Sequence, residues 1–236
     1  MVETDGGIMQ LKAVFWDLDG TLIDSEPLWH DGELEIAAAN NGHWTEELGW
    51  ECSGTPVPDV ARRMIEHGCT LSVEEIDKQL KAYVFEHEKM HMPWIDGVLD
   101  TLRSLKEAGI PTMLVSTSPR PIVENVLDAA PGLFSGYVCG DDDAKHKPSP
   151  EPYLLAAKKL GIAPENMAEC AVFEDTPVGL AAGAASGATV IAQTCTIRTD
   201  TSNGPQFTSV DGYDGIDAEA IDAIVRRRLA ALAAEA

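Results

Sequence analysis

The sequence predicts an α/β fold, a parallel sheet covered by helices, with an all-helical subdomain inserted after the first strand. Three observations predict it. Short continuous apolar runs recur along the 236 residues, as strands buried on both faces require. Helical stretches with start and stop signals separate most of these runs, the pattern of βαβ units. One block, from about Glu26 to about Pro93, breaks the rhythm and carries helical patterns only.

The first run, Lys12 to Asp17 (KAVFWD), leads into Asp-Leu-Asp-Gly-Thr, a strand entering a polar loop. Four more runs follow: Pro111 to Ser116, Gly136 to Cys139, Cys170 to Glu174 and Ala188 to Gln193. Between them, Gly97 to Ala108 reads as a helix stopped by Gly109 and Pro111. Pro119 to Ala130 opens on a proline, as first helical turns often do, and Pro150 to Leu160 ends at Gly161. The inserted block reads as helices Leu28 to Asn41, Val57 to His67 and Val73 to Met92. Asp217 to Ala236 reads as a closing helix, and turn-rich Thr199 to Gly215 as a surface loop. The expected division is a core of residues 11–24 plus 94–236 and a helical cap of 25–93.

Apolar residues make up 44% and charged residues 24%, which suits a globular chain rather than a disordered one. Seventeen basic residues against 39 acidic ones give a net charge of −22. Such a surface repels nucleic acid and anionic lipid, so neither is expected as a partner. An anionic substrate would need a local positive element, and a divalent cation on carboxylate oxygens is the obvious one. Five cysteines without a CxxC pair suit reduced thiols and a cytoplasmic setting. Met1 to Gln10 lacks the apolar centre of a signal peptide. Thr176 to Ile197 carries no charge and is long enough to span a bilayer, but Gly179, Gly183 and Gly187 among alanines and threonines predict close helix-on-sheet packing instead.

Polar residues end several runs. Asp17 and Asp19 follow the first, Ser116 and Thr117 the second, Glu174 and Asp175 the fourth, and Lys147 lies in the loop 141–150. In an open parallel sheet, ligands bind beyond the carboxyl ends of the strands. Converging there, these groups offer carboxylates, hydroxyls and one ammonium, which suits Mg²⁺ with a phosphate better than zinc or a nucleotide cofactor. Each has a bland reading: Asp-Gly as a plain turn, Asp175 as a helix cap, Ser116 as a partner for a strand-end backbone group, Lys147 as a solvated lysine with Lys145 or His146 in its place.

DLDGT at 17–21, Ser116, Lys147-Pro148 and FEDT at 173–176 together resemble, in order and spacing, the four motifs of the haloacid dehalogenase-like hydrolase superfamily. The helical block resembles that family's cap, and DSEPLW at 24–29 is similar to sugar- and polyol-phosphate phosphatases of the beta-phosphoglucomutase-like branch. The resemblance implies a Rossmann-like core and a Mg²⁺-dependent phosphatase for a small sugar or polyol phosphate. It implies Asp17 as nucleophile through an aspartyl-phosphate, and Asp19 as general acid and base. It implies metal ligation by the side chains of Asp17 and Asp175 and the backbone carbonyl of Asp19, with Glu174 beside them. Ser116, Thr117 and Lys147 would hold the phosphoryl group. Lys147 is preferred over its neighbours because the family's lysine is typically followed by proline.

Competing readings are a sugar-phosphate mutase, a dehalogenase, a binding protein without turnover, and a zinc site at His87-Glu88-Lys89-Met90-His91. The branch's mutases resemble this chain but use a cap histidine and a cap arginine, where Trp29 and Val57 stand here; Arg62 and Arg63 are the possible substitutes. Asp19 argues against the dehalogenase. The HExxH match lacks a third ligand and an apolar setting. Trp29, Trp44, Trp50, Thr55 and Pro56 are candidates for the lining of the cap, each tryptophan being equally readable as filling a helical core, with Trp29 first as a specificity residue. A monomer is expected by analogy with the family.

Overall fold

The computed structural model describes residues 9–53, 55–196 and 200–235. It divides into two compact units, one of Met1–Ile23 with Trp94–Ala236, the other Asp24–Pro93.

The first unit is built on a six-stranded sheet, all neighbours parallel, in the order β3-β2-β1-β4-β5-β6. The strands are β1 (Ala13–Trp16), β2 (Thr112–Val115), β3 (Gly136–Val138), β4 (Cys170–Glu174), β5 (Thr189–Gln193) and β6 (Thr208–Val210). Every residue of β1, β2, β4 and β5 is buried, which is why these strands are apolar throughout instead of alternating. The period-2 pleat still sorts their side chains. Ala13, Phe15, Val115, Cys170 and Val172 share one face, in a cluster with Tyr153, Ala156 and Leu180 from the helices covering that face. Trp16 and Phe173, at matching register, stack on the other face at 4.3 Å with Tyr213 edge-on to Trp16 at 5.7 Å.

In the second unit, helices α1 (Glu26–Ala39), α2 (Glu46–Glu51), α3 (Val57–Glu66) and α4 (Val73–Met90) enclose a core of their own. Ile36, Trp44, Val60, Met64, Ile76 and Leu80 are among its buried members. Ile76, Leu80 and Val84 recur every four residues on α4, one stripe of its surface. Ser72 and Glu75 close a reciprocal capping box at its start. The remaining helices belong to the first unit: α5 (Val98–Glu107), α6 (Arg120–Ala129), α7 (Glu151–Lys159), α8 (Pro177–Ala185) and α9 (Ala218–Glu235), with a 3₁₀ turn at Pro164–Glu169.

The segment Thr199 to Gly215, expected as surface loop, lies outside the described residues at Thr199; its described part contributes the edge strand β6, paired in parallel with β5. The short helix α2 was not expected either; Thr45 caps it by accepting from the Leu48 N–H at 3.3 Å. The uncharged stretch after Thr176 folds as α8 and β5. Among the described residues no helix is long and apolar enough to cross a membrane. A Cβ at Gly183 would sit 3.0 Å from Val172 Cγ1 and 3.1 Å from Val190 Cγ2, so this glycine is what lets α8 lie close on the sheet.

Candidate active site

The central strands deliver the site. β1 lies between β2 and β4, with Trp16 in register with Leu114 and Phe173. Asp17, Ser116 and Glu174 therefore emerge side by side at the carboxyl edge, where the strand order reverses. The pleat then decides directions. Glu174 follows Phe173 and turns to the face of α7 and α8; Asp175 turns the other way.

Lys147 gathers the first group. Its Nζ lies 2.5 Å from Asp17 Oδ1 and 2.6 Å from Glu174 Oε1, and donates to the Val115 carbonyl at 3.0 Å. Its side chain is 6% exposed, whereas that of Lys145 is 82% exposed and paired with Glu151 at the surface. The Lys147-Pro148 peptide bond is cis. Tyr153, on α7, donates its hydroxyl to Glu174 Oε1, and its ring lies 5.3 Å from the Lys147 ammonium. Burial works against the charge on Lys147, but Asp17 and Glu174 outweigh it and hold the ammonium above its ordinary value. It stays protonated.

The carboxylates are crowded. Asp17, Glu174 and Asp175 each offer an oxygen within 4.8 Å of the others. Burial, reinforced by the Asp17 charge, pushes Glu174 up to about 7 against the pull of Lys147. Burial and the charges of Asp17 and Glu174 raise Asp175 well above the usual carboxylate range. Glu174 Oε2 has no hydrogen-bond partner among the described residues. One ammonium does not balance three buried carboxyl groups, and the donors are hard oxygens; these residues fit a divalent cation of the Mg²⁺ type.

Two glycines make the crowding possible. Gly20, at φ +83°, brings the loop against Asp175; a Cβ there would lie 2.2 Å from Asp175 Oδ2. A Cβ at Gly179 would fall 1.8 Å from Glu174 Oε2. Thr21 donates to Asp175 Oδ1 at 3.3 Å, and Tyr213 closes the turn from behind by donating to the Thr21 carbonyl at 2.6 Å.

On the other flank, Ser116 is buried and its hydroxyl oxygen accepts from the Ser118 N–H at 2.9 Å. The bland backbone role is thus real, and the Ser116 proton remains available to a ligand. Thr117 is exposed beside it. Asp19, half-buried in the loop after β1, accepts from the Ser118 hydroxyl at 3.1 Å. Asp175 does not cap α8; Thr176 does, accepting from the Gly179 N–H at 3.1 Å. Tyr153, Thr21 and Ser118 escaped the sequence reading.

In the helical unit, Trp29 packs against the internal apolar cluster. Trp44, open between lining and core, is a core residue: 8% exposed, with its indole N–H donating to Glu33 Oε2 at 3.0 Å. Trp50 sits edge-on to His30 at 4.0 Å. Arg62 pairs with Asp59 and Arg63 with Glu51. The HExxH histidines do not share a helix face to its end: α4 stops at Met90, leaving His91 extended, while His87 is hydrogen-bonded to the Tyr83 carbonyl at 2.7 Å. Among the described residues, the carboxylate cluster at Asp17 is the group of side chains placed to hold a metal.

Comparison with known proteins identifies the family. A phosphorylated carbohydrates phosphatase of Thermotoga maritima is 29% identical over 184 residues, covering 75% of this chain and 82% of the relative. Hexitol phosphatase A of Escherichia coli is 30% identical over 190 residues, covering 78% and 83%. The crystal structure of a family IA, variant 3 hydrolase from Entamoeba histolytica superposes with a TM-score of 0.76 at 23% identity, covering 92% of this chain and all of that one. Residues 11–187 match the family model for haloacid dehalogenase-like hydrolases, and this chain belongs to that family.

Proposed function

We propose that the chain is a Mg²⁺-dependent phosphatase that hydrolyses a small sugar or polyol phosphate through an aspartyl-phosphate on Asp17. The observation that carries this reading is the Lys147 contact. An ammonium 2.5 Å from Asp17 Oδ1 fixes that carboxylate at the carboxyl edge of the sheet, beside Ser116 and the Glu174–Asp175 pair. Phosphoryl transfer asks mainly for positioning and charge neutralisation, which is what such an edge supplies.

Asp17 attacks phosphorus and carries the phosphoryl group, splitting one displacement into two. Lys147 neutralises the nucleophile's second oxygen and then a phosphoryl oxygen; Ser116 and the loop at Thr117 orient the remaining oxygens. Asp19 protonates the departing alcohol and afterwards takes the proton of the attacking water. Asp17, Asp175 and the Asp19 carbonyl, with Glu174 beside them, would hold Mg²⁺, which when bound offsets the negative charge of carboxylates and phosphate. The named relatives, one a phosphatase for phosphorylated carbohydrates and one for hexitols, support sugars and polyols as the substrate class. Trp29 is proposed as a specificity residue.

A phosphatase is favoured over a mutase because Trp29 and Val57 stand where the mutase histidine and arginine are expected, and Arg62 and Arg63 are engaged with carboxylates of their own unit. A panel of hexose, hexitol and glycerol phosphates tests the reading. Release of inorganic phosphate from a subset is expected; conversion of a hexose phosphate to a positional isomer without phosphate release would replace the phosphatase by the mutase.

A further inference from the structure

We infer that Thr196 and Tyr213 are positioning residues of the carboxylate cluster, acting through Thr21 on Asp175, an assignment that rests on the Mg²⁺ site of the reading above. Both lie beyond residue 187, where the match to the family model ends. The Thr196 hydroxyl donates to the Gly20 carbonyl at 2.7 Å, across 176 residues of sequence. The Tyr213 hydroxyl donates to the next carbonyl, that of Thr21, at 2.6 Å, across 192 residues. These carbonyls belong to the peptide planes on either side of Thr21. A peptide unit is planar and leaves two soft torsions per residue, so holding both planes holds the Thr21 backbone. The side chain of Thr21, β-branched and stiff at χ1, then has one direction. It is buried, and its hydroxyl donates to Asp175 Oδ1 at 3.3 Å. The Gly20 plane also acts directly: a Cβ on Gly20 would lie 2.2 Å from Asp175 Oδ2, so the turn and the carboxylate move together.

The two donors are themselves held. Gln193, buried at the end of β5, accepts through Oε1 from the Cys195 N–H at 2.9 Å and from the Gly212 N–H at 3.2 Å. Thr194 donates its N–H at 2.9 Å and its hydroxyl at 3.0 Å to the Val210 carbonyl. The loops leaving β5 and β6 are thus tied to each other, one carrying Thr196 and the other Tyr213. The Tyr213 ring is buried against Trp16 and Phe173, at 5.7 and 5.9 Å between centroids. Its backbone presses on the start of α5, where a Cβ on Gly97 would meet the Tyr213 carbonyl carbon at 3.1 Å. Every group in this support lies in the sheet-bearing unit. A donor on a loose loop would follow the carbonyl it binds; donors anchored this way direct it.

The role has a signature that packing alone lacks. Packing would show as stability of the metal-free protein and leave Mg²⁺ affinity unmoved. The experiment titrates MgCl₂ into the full chain by calorimetry for the wild type, Tyr213→Phe, Thr196→Val and Thr196→Ser, and records each thermal midpoint in EDTA. Tyr213→Phe keeps the ring and removes the donor; Thr196→Val, at a half-buried position, keeps the shape and removes the hydroxyl. Each should weaken Mg²⁺ binding by about 10-fold, the low end of what the outer partners of metal ligands contribute. Thr196→Ser, which keeps a hydroxyl, should bind Mg²⁺ as the wild type does. Lower midpoints in EDTA with unchanged Mg²⁺ binding, or Thr196→Ser as weak as Thr196→Val, would overturn the assignment while leaving the phosphatase standing. A wild type that takes up no Mg²⁺ would overturn the assignment and the metal site of that reading together.

Discussion

Glu174 shows how far one residue is set by its surroundings. Its Oε1 takes the Lys147 ammonium and the Tyr153 hydroxyl, its Oε2 faces Gly179, and burial pushes it up to about 7. A carboxyl group raised above its unfolded value is penalised when ionised in the folded state. The penalty is full above about pH 7 and fades as pH falls toward the ordinary carboxylate value of 4.5. The metal-free protein should therefore gain thermal stability between pH 8 and pH 6; Glu174→Gln should flatten that slope, and saturating Mg²⁺ should flatten it in the wild type. A slope identical in all three would contradict the charge balance described here. Tyr153→Phe removes one donor from a buried acceptor and should cost about 1–3 kcal/mol in urea unfolding, with weaker Mg²⁺ binding by calorimetry. Unchanged values for both would mean that the hydroxyl is idle. Asp17, Asp19 and the FEDT run were legible in the sequence because each sits in a short motif at a strand end, and Lys147 because a proline follows it. Tyr153, Thr21 and Ser118 were not, since their partners lie 21, 154 and 99 residues away and no local pattern announces such a contact.

At the scale of elements, the buried parallel strands were readable because burial on both faces leaves no room for polar side chains. β6 escaped because it has three residues and only partial burial, with Ser209 exposed. α2 escaped because six residues with a central glycine leave too short a stripe to show helical periodicity. Trp44 was left open between lining and core, because sequence alone does not say which tryptophan a helical subdomain spends on its own core. α8 offers the sharpest element-level test. Gly179→Ala would drive a Cβ into Glu174 Oε2, at 1.8 Å in the present backbone, so the first turn of α8 or the carboxylate must shift. A loss of about 1–3 kcal/mol is expected for such overpacking, together with a raised Mg²⁺ requirement. Gly187→Ala, with its Cβ 3.6 Å from Met167 Cβ and φ at +85°, should cost stability without touching the Mg²⁺ requirement. If the two variants behaved alike, the link between α8 and the carboxylate cluster would fail.

For the molecule as a whole, a net charge of −22 is the dominant surface property, and self-repulsion of that size weakens the compact state. Raising NaCl from 0.01 M to 0.15 M shortens the Debye length from about 30 Å to about 8 Å, and the thermal midpoint should rise with it. A midpoint that fell would contradict net repulsion. The charge also frames the site: an acidic molecule binding an anionic ester needs positive charge at the point of contact, and the carboxyl edge of the sheet combines one buried lysine with carboxylates fitted to a divalent cation. The division into a sheet and a helical block was legible because the block from about Glu26 lacks strand patterns. The most direct test of the central claim is phosphate release from p-nitrophenyl phosphate by the wild type and Asp17→Asn, each with Mg²⁺ and with EDTA, after circular dichroism shows both folded. Turnover by the wild type with Mg²⁺ alone is expected, and none by Asp17→Asn under either condition. Turnover surviving in Asp17→Asn would remove Asp17 as the nucleophile and with it the proposed mechanism.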